Sequence, residues 1–266
     1  MTDISLRFEP PFARIVLNRP ERRNAITRAM WRALPAIRAA IEAREDMLVA
    51  LIEGEGGHFS VGADISEFDE VYRDAAAARD YGDAVQDGLN ALIDIDRPTI
   101  AILKGNAVGG GLGLALACDL RFCAADAYLA VTPAKLGLIY GHAETRRLIE
   151  LVGPSRAKDL LFTGRRIETE EALAIGLVDR RVETALQETV IGYARGLAEL
   201  SQTSIRGAKR AVGAIAAGMA FETPAFRALT EQAALGPDFA EGRAAFAEKR
   251  AARFAFRGPT APLAQS

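Results

Sequence analysis

The sequence predicts an α/β core followed by a C-terminal region built only of helices. Short apolar runs of strand length alternate with helical periodicity up to about residue 180, and helical periodicity alone continues beyond that point. Half of the 266 residues are hydrophobic and 26% are charged, a balance typical of a globular chain long enough to bury a large core. Strands separated by helices favour parallel pairing with right-handed crossovers.

The first part of the chain is predicted to form a hairpin, a helix and a buried strand. Residues 4–8 and 13–17 alternate between apolar and polar side chains, which is the pattern of a β-hairpin. Thr27 can cap a helix that reaches about residue 44, although Pro35 predicts a kink or a late start. The apolar run at 48–52 predicts a strand that is buried on both faces.

Glycine and proline residues divide the rest of the chain into further elements. Residues 71–96 have a largely helical pattern that ends at Pro98. The next predicted elements are strands at 99–103, 120–124 and 128–131, and a helix that glycines 109–111 open and that runs to residue 117. From Pro154 onward the pattern is mostly helical, with breaks near Gly164, Gly176, Ser204, Pro224 and Pro237. We therefore predict a core at residues 1–200, a helical region at 201–258 and a frayed tail at 259–266.

Charge and cysteine content argue against several classes of function. The formal net charge of −2 gives no overall electrostatic reason to bind nucleic acid. Cys118 and Cys123 can build neither a disulfide framework nor a cysteine zinc site, so we expect no metal and a reducing, cytoplasmic location. No apolar run approaches the roughly 20 residues that a membrane span needs, and we expect no signal peptide.

Two loops place glycine where a predicted strand ends, at residues 58–65 and 105–113. Glycine lets backbone N–H groups approach a ligand closely, and the second glycine run also precedes a helix. Two such N–H groups that converge on one oxygen would form an oxyanion hole. Close packing of the helix on the sheet would explain the same glycines. A Walker loop fails because no Gly-Lys-Ser/Thr follows, and the third glycine of a dinucleotide fingerprint is missing.

Segments spread over nearly the whole chain match one family pattern in the correct order and spacing. They lie at residues 17–25 (LNRPERRNA), 59–65, 105–119, 153–164, 172–178 and 241–250. These motifs resemble those of the crotonase superfamily, the enoyl-CoA hydratase/isomerase family. The resemblance implies a spiral of ββα units, a C-terminal helical trimerisation region, and a homotrimer or a dimer of trimers. It also implies an acyl-CoA thioester as substrate and no separate cofactor, because the substrate carries the coenzyme A.

The resemblance also implies roles for individual residues. The N–H groups of Ala63 and Gly110 would hold the thioester oxygen as it becomes an enolate. Further substrate contacts are implied at Arg22, Arg23, Ala25, Gly62, Asp64, Ile65, Gly109, Gly111 and Pro133. The two arginines suit phosphate oxygens, and either could equally be a solvated surface charge.

Two glutamates that hydratases of this family carry are absent. Their positions correspond to Gly113 and Ala134. Hydration of a double bond needs a base for the water and an acid for the carbon, so decarboxylation or isomerisation is favoured over hydration. Residues 132–140 resemble the methylmalonyl-CoA decarboxylase branch, in which a tyrosine at the position of Tyr140 positions the substrate carboxylate. That branch has a histidine where this chain has Ala63.

Tyr140 and Glu144 are the remaining candidates for catalysis. Tyr140 could hydrogen-bond a substrate carboxylate, or it could be a core or interface aromatic. Glu144 could be a lone base for double-bond isomerisation, or it could cap the helix that opens near Thr145. The absent glutamates also leave open a catalytically silent acyl-CoA binder or a structural subunit.

Overall fold

A six-stranded, mainly parallel sheet and a three-stranded sheet organise the protein, which the computed structural model describes over residues 2–255. The strands are β1 (Ile4–Glu9), β2 (Phe12–Leu17), β3 (Val49–Gly54), β4 (Thr99–Leu103), β5 (Asn106–Val108), β6 (Leu120–Ala124), β7 (Tyr128–Ala130), β8 (Arg166–Glu168) and β9 (Arg180–Val182). The helices are α1 (Arg28–Glu42), α2 (Phe68–Val71), α3 (Ala75–Ile93), α4 (Gly110–Leu116), α5 (His142–Thr163), α6 (Thr169–Ala174), α7 (Leu186–Glu199), α8 (Gln202–Ala216), α9 (Pro224–Leu235) and α10 (Pro237–Glu248).

The larger sheet has the strand order β1-β2-β3-β4-β6-β9. β1 and β2 pair in antiparallel fashion along their full length, which confirms the predicted hairpin. Each later pair in this sheet is parallel, as the alternation of strands and helices predicts. The smaller sheet has the order β5-β7-β8.

The first helix confirms its predicted cap. The Thr27 hydroxyl accepts a hydrogen bond from the Met30 N–H, and α1 begins at the next residue, Arg28. Pro35 lies inside α1 and does not delay its start. Trp31, on the buried face of α1, joins the core that α1 and α3 share.

β3 and β4 are buried along their whole length, as their continuous apolar runs predict. Alternate side chains of β3 enter two separate cores. Ala50 and Ile52 join the core that α1 and α3 cover, whereas Val49 and Leu51 join the core that α7 covers. Helices therefore cover both faces of the parallel sheet, and the connecting loops lie at the edge where the parallel strands end.

The sequence analysis did not predict three short strands. β5, β8 and β9 have three residues each, which is too few to show an alternating pattern. The single helix predicted over residues 71–96 begins as α3 after Asp74, whose carboxylate caps it. α5 begins at His142, close to the opening predicted near Thr145, and is broken at Gly153, where φ is +78°.

The last helices, α8 to α10, occupy the region predicted to be helical. This region exposes several large apolar side chains, namely Val212, Ile215, Phe221, Leu235, Phe239 and Phe246. The trimerisation that the family resemblance implies for this region stays a prediction. The tail predicted at residues 259–266 lies outside the described residues. Over residues 2–255, the helices are each too short or too polar to cross a bilayer.

Candidate active site

The two glycine-containing loops meet at Ala63 and Gly110. A Cβ on Gly110 would stand 3.7 Å from the Ala63 backbone nitrogen. A Cβ on Gly62 would stand 3.3 Å from the Gly110 nitrogen and 2.7 Å from the Val108 carbonyl oxygen. Gly62 has a φ of +97°, so glycine is favoured there by conformation as well as by space. The two N–H groups expected to form an oxyanion hole are therefore neighbours.

Backbone hydrogen bonds hold the loops together. The Ser60 N–H donates to the Asn106 carbonyl at 2.9 Å, and the Val108 N–H donates to the Ser60 carbonyl at 3.0 Å. The first loop is also joined to the segment before α1, because the Asp64 N–H donates to the Ile26 carbonyl at 3.0 Å. The bonded groups are main-chain atoms, so the approach of the loops depends on the absence of a side chain at Gly62 more than on the identity of the other side chains.

The N–H groups of Ala63 and Gly110 have no hydrogen-bond partner among the described residues. Over residues 2–255, neither donates a hydrogen bond to another group of the protein. Both residues are only partly buried, so a ligand can reach them. Gly110 is the first residue of α4, where an N–H has no carbonyl partner within the helix. Two adjacent unpaired donors could stabilise negative charge on one oxygen, as the sequence analysis predicts, and we name this pair the oxyanion hole after that prediction.

A buried carboxylate lies against α4, where the sequence lacks the family glutamate. A Cβ on Gly113 would stand 2.9 Å from Glu144 Cγ and 3.3 Å from Glu144 Oε1. A Cβ on Gly141 would overlap Glu144 Oε2. Glu144 is in the first turn of α5 and is only 6% exposed. The two glycines thus form a space for its side chain, which we call the Glu144 cradle.

Burial controls the acidity of Glu144 and of Tyr140. Desolvation raises the pKa of Glu144 to about 7, although the N–H groups of Glu144 itself and of Gly141 oppose the rise. The Tyr140 hydroxyl donates to the Gly109 carbonyl at 2.9 Å and lies 3.2 Å from the position of a Cβ on Gly113. Burial, and then the charge of Glu144, raises the pKa of Tyr140. Of the two groups, the carboxyl is therefore the one that can exchange a proton near neutral pH.

One aromatic side chain, that of Trp31 in α1, borders the oxyanion hole, and three other aromatic rings contact one another. Trp31 Cζ2 lies 3.4 Å from the position of a Cβ on Gly110. Phe68, Tyr72 and Tyr81 make edge-to-face contacts, with ring centroids 5.2 Å and 5.7 Å apart. The sequence analysis did not single out these three rings, because their segment has a weak pattern that does not show which residues pack together.

Three further predicted contacts lie beside the oxyanion hole. Gly109 has a φ of +51°, and a Cβ there would stand 3.1 Å from Thr132 Oγ1. A Cβ on Gly111 would stand 2.7 Å from the Ser60 carbonyl oxygen. Pro133 follows Thr132 at the start of a short 3-10 turn, so it borders the same loop.

Of the remaining predicted contacts, Asp64 and Ala25 share one hydrogen-bond network. The Asp64 carboxylate accepts hydrogen bonds from Arg19 at 2.7 Å and from the Ser66 N–H at 3.0 Å. Burial raises the pKa of Asp64, but these hydrogen bonds outweigh it and hold the pKa below its usual value. Arg19 also donates to the Ala25 carbonyl at 2.8 Å, which ties Asp64 and Ala25 into one network. The other predicted contacts are exposed side chains, those of Arg22, Arg23 and Ile65.

Other polar features lie apart from the oxyanion hole. Two surface clefts of about 560 Å³ and 240 Å³ are lined by residues other than Ala63, Gly110 and Glu144. His58 Nδ1, in the larger cleft, accepts a hydrogen bond from the Asn106 N–H at 3.2 Å. In the part of the chain that the structure describes, no cluster of three His, Cys, Asp or Glu residues could hold a metal ion.

Comparisons with known proteins bear on this geometry. Residues 8–257 match the sequence model of the family described as enoyl-CoA hydratase/isomerase. The crystal structure of an enoyl-CoA hydratase/isomerase family protein from Hyphomonas neptunium superposes with a TM-score of 0.93 at 42% identity, over 96% of this chain and 98% of that one. The short-chain-enoyl-CoA hydratase of Clostridium acetobutylicum is 31% identical over 85% of this chain and 88% of its own length.

A mammalian relative extends the match. Enoyl-CoA hydratase domain-containing protein 2 of Bos taurus, a mitochondrial protein by name, is 36% identical over 91% of this chain and 83% of its own length. Sequence and structure comparisons therefore agree across nearly the whole chain. The chain has the crotonase fold and belongs to the enoyl-CoA hydratase/isomerase family.

Proposed function

We propose that this protein converts an acyl-CoA thioester to its enolate and uses Glu144 to carry the proton, with double-bond isomerisation as the best-supported reaction. The observation that carries the proposal is the Glu144 carboxyl, buried against Gly113 near the oxyanion hole, with a pKa of about 7. A carboxyl group with this pKa can accept and return a proton near neutral pH.

The proposed reaction starts from a thioester with a double bond between its β and γ carbons. Glu144 takes a proton from the α carbon, the electron pair of that C–H bond forms a double bond between the α carbon and the thioester carbon, and the carbonyl π pair moves onto the thioester oxygen. The N–H groups of Ala63 and Gly110 stabilise the resulting enolate, and one such donor typically lowers the barrier by about 3–4 kcal/mol. The electron pair then moves back, the double bond shifts to the α and β carbons, and Glu144 returns the proton to the γ carbon.

Isomerisation needs one proton carrier, whereas hydration needs an acid and a base. The second family glutamate corresponds to Ala134, an exposed residue of the turn that follows β7. Its methyl group can neither donate nor accept a proton. The single carboxyl in the cradle therefore favours isomerisation over hydration.

Decarboxylation is less well supported. The Tyr140 hydroxyl already donates to the Gly109 carbonyl, so it is not free to bind a substrate carboxylate without breaking that bond. Ionised Glu144, which lies beside it, would also repel such a carboxylate. Protonation of Glu144 would remove the repulsion, so decarboxylation would be expected mainly below the Glu144 pKa of about 7.

Recognition of coenzyme A is proposed for the surface around Asp64. Arg22 and Arg23 are exposed there, and guanidinium groups suit the phosphates of coenzyme A. No cofactor besides the coenzyme A of the substrate enters the proposed reaction. A homotrimer or a dimer of trimers remains the predicted assembly.

Isomerisation and proton exchange can be measured on the same sample. We expect the protein to convert 3-hexenoyl-CoA to 2-hexenoyl-CoA and to incorporate solvent deuterium at the α carbon. Glu144→Gln should lower both rates by about 100-fold or more. Glu150→Gln, which removes a carboxylate that pairs with Arg146 and Arg147 on the same helix, should keep both rates.

Two results would count against the proposal. Full activity in Glu144→Gln would assign the proton transfer to another group. Tight binding of acyl-CoA with no deuterium uptake by the unaltered protein would identify a catalytically silent binder.

A further inference from the structure

One buried hydroxyl, that of Ser60, lies between the segments that carry the two oxyanion donors. Ser60 is 0% exposed, so its side chain is sealed from solvent. The hydroxyl donates to the Asn24 carbonyl at 2.7 Å and accepts from the Gly62 N–H at 3.1 Å. Because its proton and one of its lone pairs are both engaged, the hydroxyl cannot rotate without breaking a hydrogen bond. The Ser60 oxygen is therefore held in one place from two sides.

The contact of this oxygen with Gly62 bears on the direction of the Ala63 N–H. Gly62 has a φ of +97°, and a glycine backbone turns easily unless the peptide groups on both sides of it are held. The Ser60 hydroxyl holds the Gly62 N–H, and the Gly62 carbonyl accepts from the Ile26 N–H at 2.7 Å. In a planar trans peptide the C=O and the N–H point in opposite directions, so the Ala63 N–H points away from Ile26.

The Ser60 side chain also supports the segment of the second donor. A Cβ on Gly111 would stand 2.7 Å from Ser60 Cβ and 2.8 Å from Ser60 Oγ, so the first turn of α4 packs directly on this side chain. Gly111 follows Gly110 in the chain, whereas Gly62 precedes Ala63. One side chain therefore contacts a residue adjacent to each of the two donors.

We propose that Ser60 is a positioning residue, whose hydroxyl sets the directions in which the Ala63 and Gly110 N–H groups point toward the thioester oxygen. This inference rests on the proposed function, because it takes these two groups to stabilise an enolate. The backbone hydrogen bonds between the loops do not involve the hydroxyl, so its loss should turn the donors without separating the loops. A hydrogen bond weakens as the donor turns away from its acceptor, so a small turn should raise the barrier to enolate formation.

Ser60→Ala tests the inference, because it removes the oxygen and keeps the Cβ that packs against Gly111. We expect the rate of deuterium exchange at the α carbon of hexanoyl-CoA to fall about five- to tenfold, a fraction of the 100- to 1000-fold that loss of a whole donor costs. The Kd of hexanoyl-CoA, measured by isothermal titration calorimetry, should change less than about twofold, because the sealed side chain does not touch a ligand.

The carbonyl group of a bound ligand reports directly on the two donors. Hydrogen bonds to the thioester oxygen lower the stretching frequency of its C=O, which infrared difference spectroscopy measures on hexanoyl-CoA labelled with carbon-13 at that carbon. We expect a smaller shift on binding to Ser60→Ala than to the unaltered protein. Thr169→Val is the matched control, because Thr169 is also 0% exposed and its hydroxyl donates to the Ala125 carbonyl at 2.8 Å, in a different part of the fold. It should lower the stability to chemical unfolding and leave the exchange rate and the carbonyl shift unchanged.

An unchanged exchange rate or an unchanged carbonyl shift in Ser60→Ala would overturn the inference. Equal losses in Thr169→Val would also overturn it, because they would show that any lost buried hydrogen bond has this effect. Rates are compared at equal amounts of folded protein, as judged by circular dichroism. The unaltered protein separates this failure from a failure of the proposed function. Equal exchange in the unaltered protein and in Ser60→Ala would overturn only the role of Ser60, whereas absence of exchange in the unaltered protein would overturn the enolate-forming function.

Discussion

The oxyanion hole and the Glu144 cradle are built in opposite ways. The oxyanion hole uses the N–H groups of Ala63 and Gly110, on loops that are joined by backbone hydrogen bonds. The cradle holds a side chain, and it depends on the lack of side chains at Gly113 and Gly141. Changes to the side chains already present nearby, other than that of Ser60, should leave the first largely intact, because its side-chain-free positions are Gly62 and Gly111 in the loop contact itself, whereas one methyl group added at Gly113 should disturb the second. The two halves of the site are therefore separable by substitution.

Loss of an N–H from the oxyanion hole should have the largest effect. Gly110→Pro deletes the donor at the first position of α4, a position that otherwise accepts proline. We expect deuterium exchange at the α carbon of an acyl-CoA to fall about 100- to 1000-fold. Gly110→Ala is the matched control, because it keeps the N–H and its Cβ would meet its nearest neighbours at 3.4 Å and 3.7 Å. Equal losses in the two variants would show that the N–H is not the functional group.

A single methyl group in the cradle should have the next largest effect. In Gly113→Ala the new Cβ would stand 2.9 Å from Glu144 Cγ, so the carboxyl must move while both oxyanion donors stay in place. We expect the isomerisation rate to fall by up to about 100-fold, the effect of a small misplacement of a reacting group. Gly82→Ala in α3, where a Cβ would have no neighbour within 4 Å, should leave the rate unchanged. A normal rate in Gly113→Ala would remove the cradle from the mechanism.

Proton transfer by Glu144 should give the cradle a pH dependence that the oxyanion hole lacks. Glu144 acts as a base only when it is ionised, and burial raises its pKa to about 7. The isomerisation rate should therefore fall about tenfold per pH unit below this pKa and level off above it. Initial rates with 3-hexenoyl-CoA across neutral pH test this expectation. A profile that stays flat through neutrality would assign the proton to a different group.

The parts of the fold that the sequence predicted well are those set by local signals. The Thr27 cap and the apolar run of β3 depend on neighbouring residues, and the structure confirms both. β8 and β9 have three residues each and form by pairing with strands that are distant in sequence, so no local pattern predicts them. The break in α5 at Gly153, where φ is +78°, directly precedes Pro154, the residue at which the sequence analysis begins the mostly helical part of the chain.

The distinction between local sequence signals and contacts between distant segments also applies to the candidate active site. The family resemblance pointed to Ala63 and Gly110 from glycine-containing motifs, and the structure brings the two loops together. For Glu144 the sequence left two alternatives, a helix cap and a base. Its place in the first turn of α5, against Gly141, is compatible with both. The relation between Gly113 and Glu144 could not be predicted, since it arises only when α4 and α5 pack together.

Tyr140 joins the two halves of the site, and its replacement should have the smallest effect on isomerisation. Its hydroxyl donates to the Gly109 carbonyl beside the oxyanion hole, and the same atom lies against the Gly113 side of the cradle. Tyr140→Phe removes this one hydrogen bond, typically about 1 kcal/mol, and keeps the buried ring. We expect less than about a tenfold fall in isomerisation of 3-hexenoyl-CoA.

Release of CO2 from methylmalonyl-CoA, measured on the same variant, sharpens the comparison. A strong loss of decarboxylation in Tyr140→Phe, with isomerisation nearly unchanged, would show that the hydroxyl positions a substrate carboxylate. Decarboxylation yields the enolate directly and needs no base, so it would use the N–H groups of Ala63 and Gly110 in the same way. That result would therefore show that the side chains of the site position a substrate carboxylate instead of transferring a proton. The oxyanion hole would keep its role.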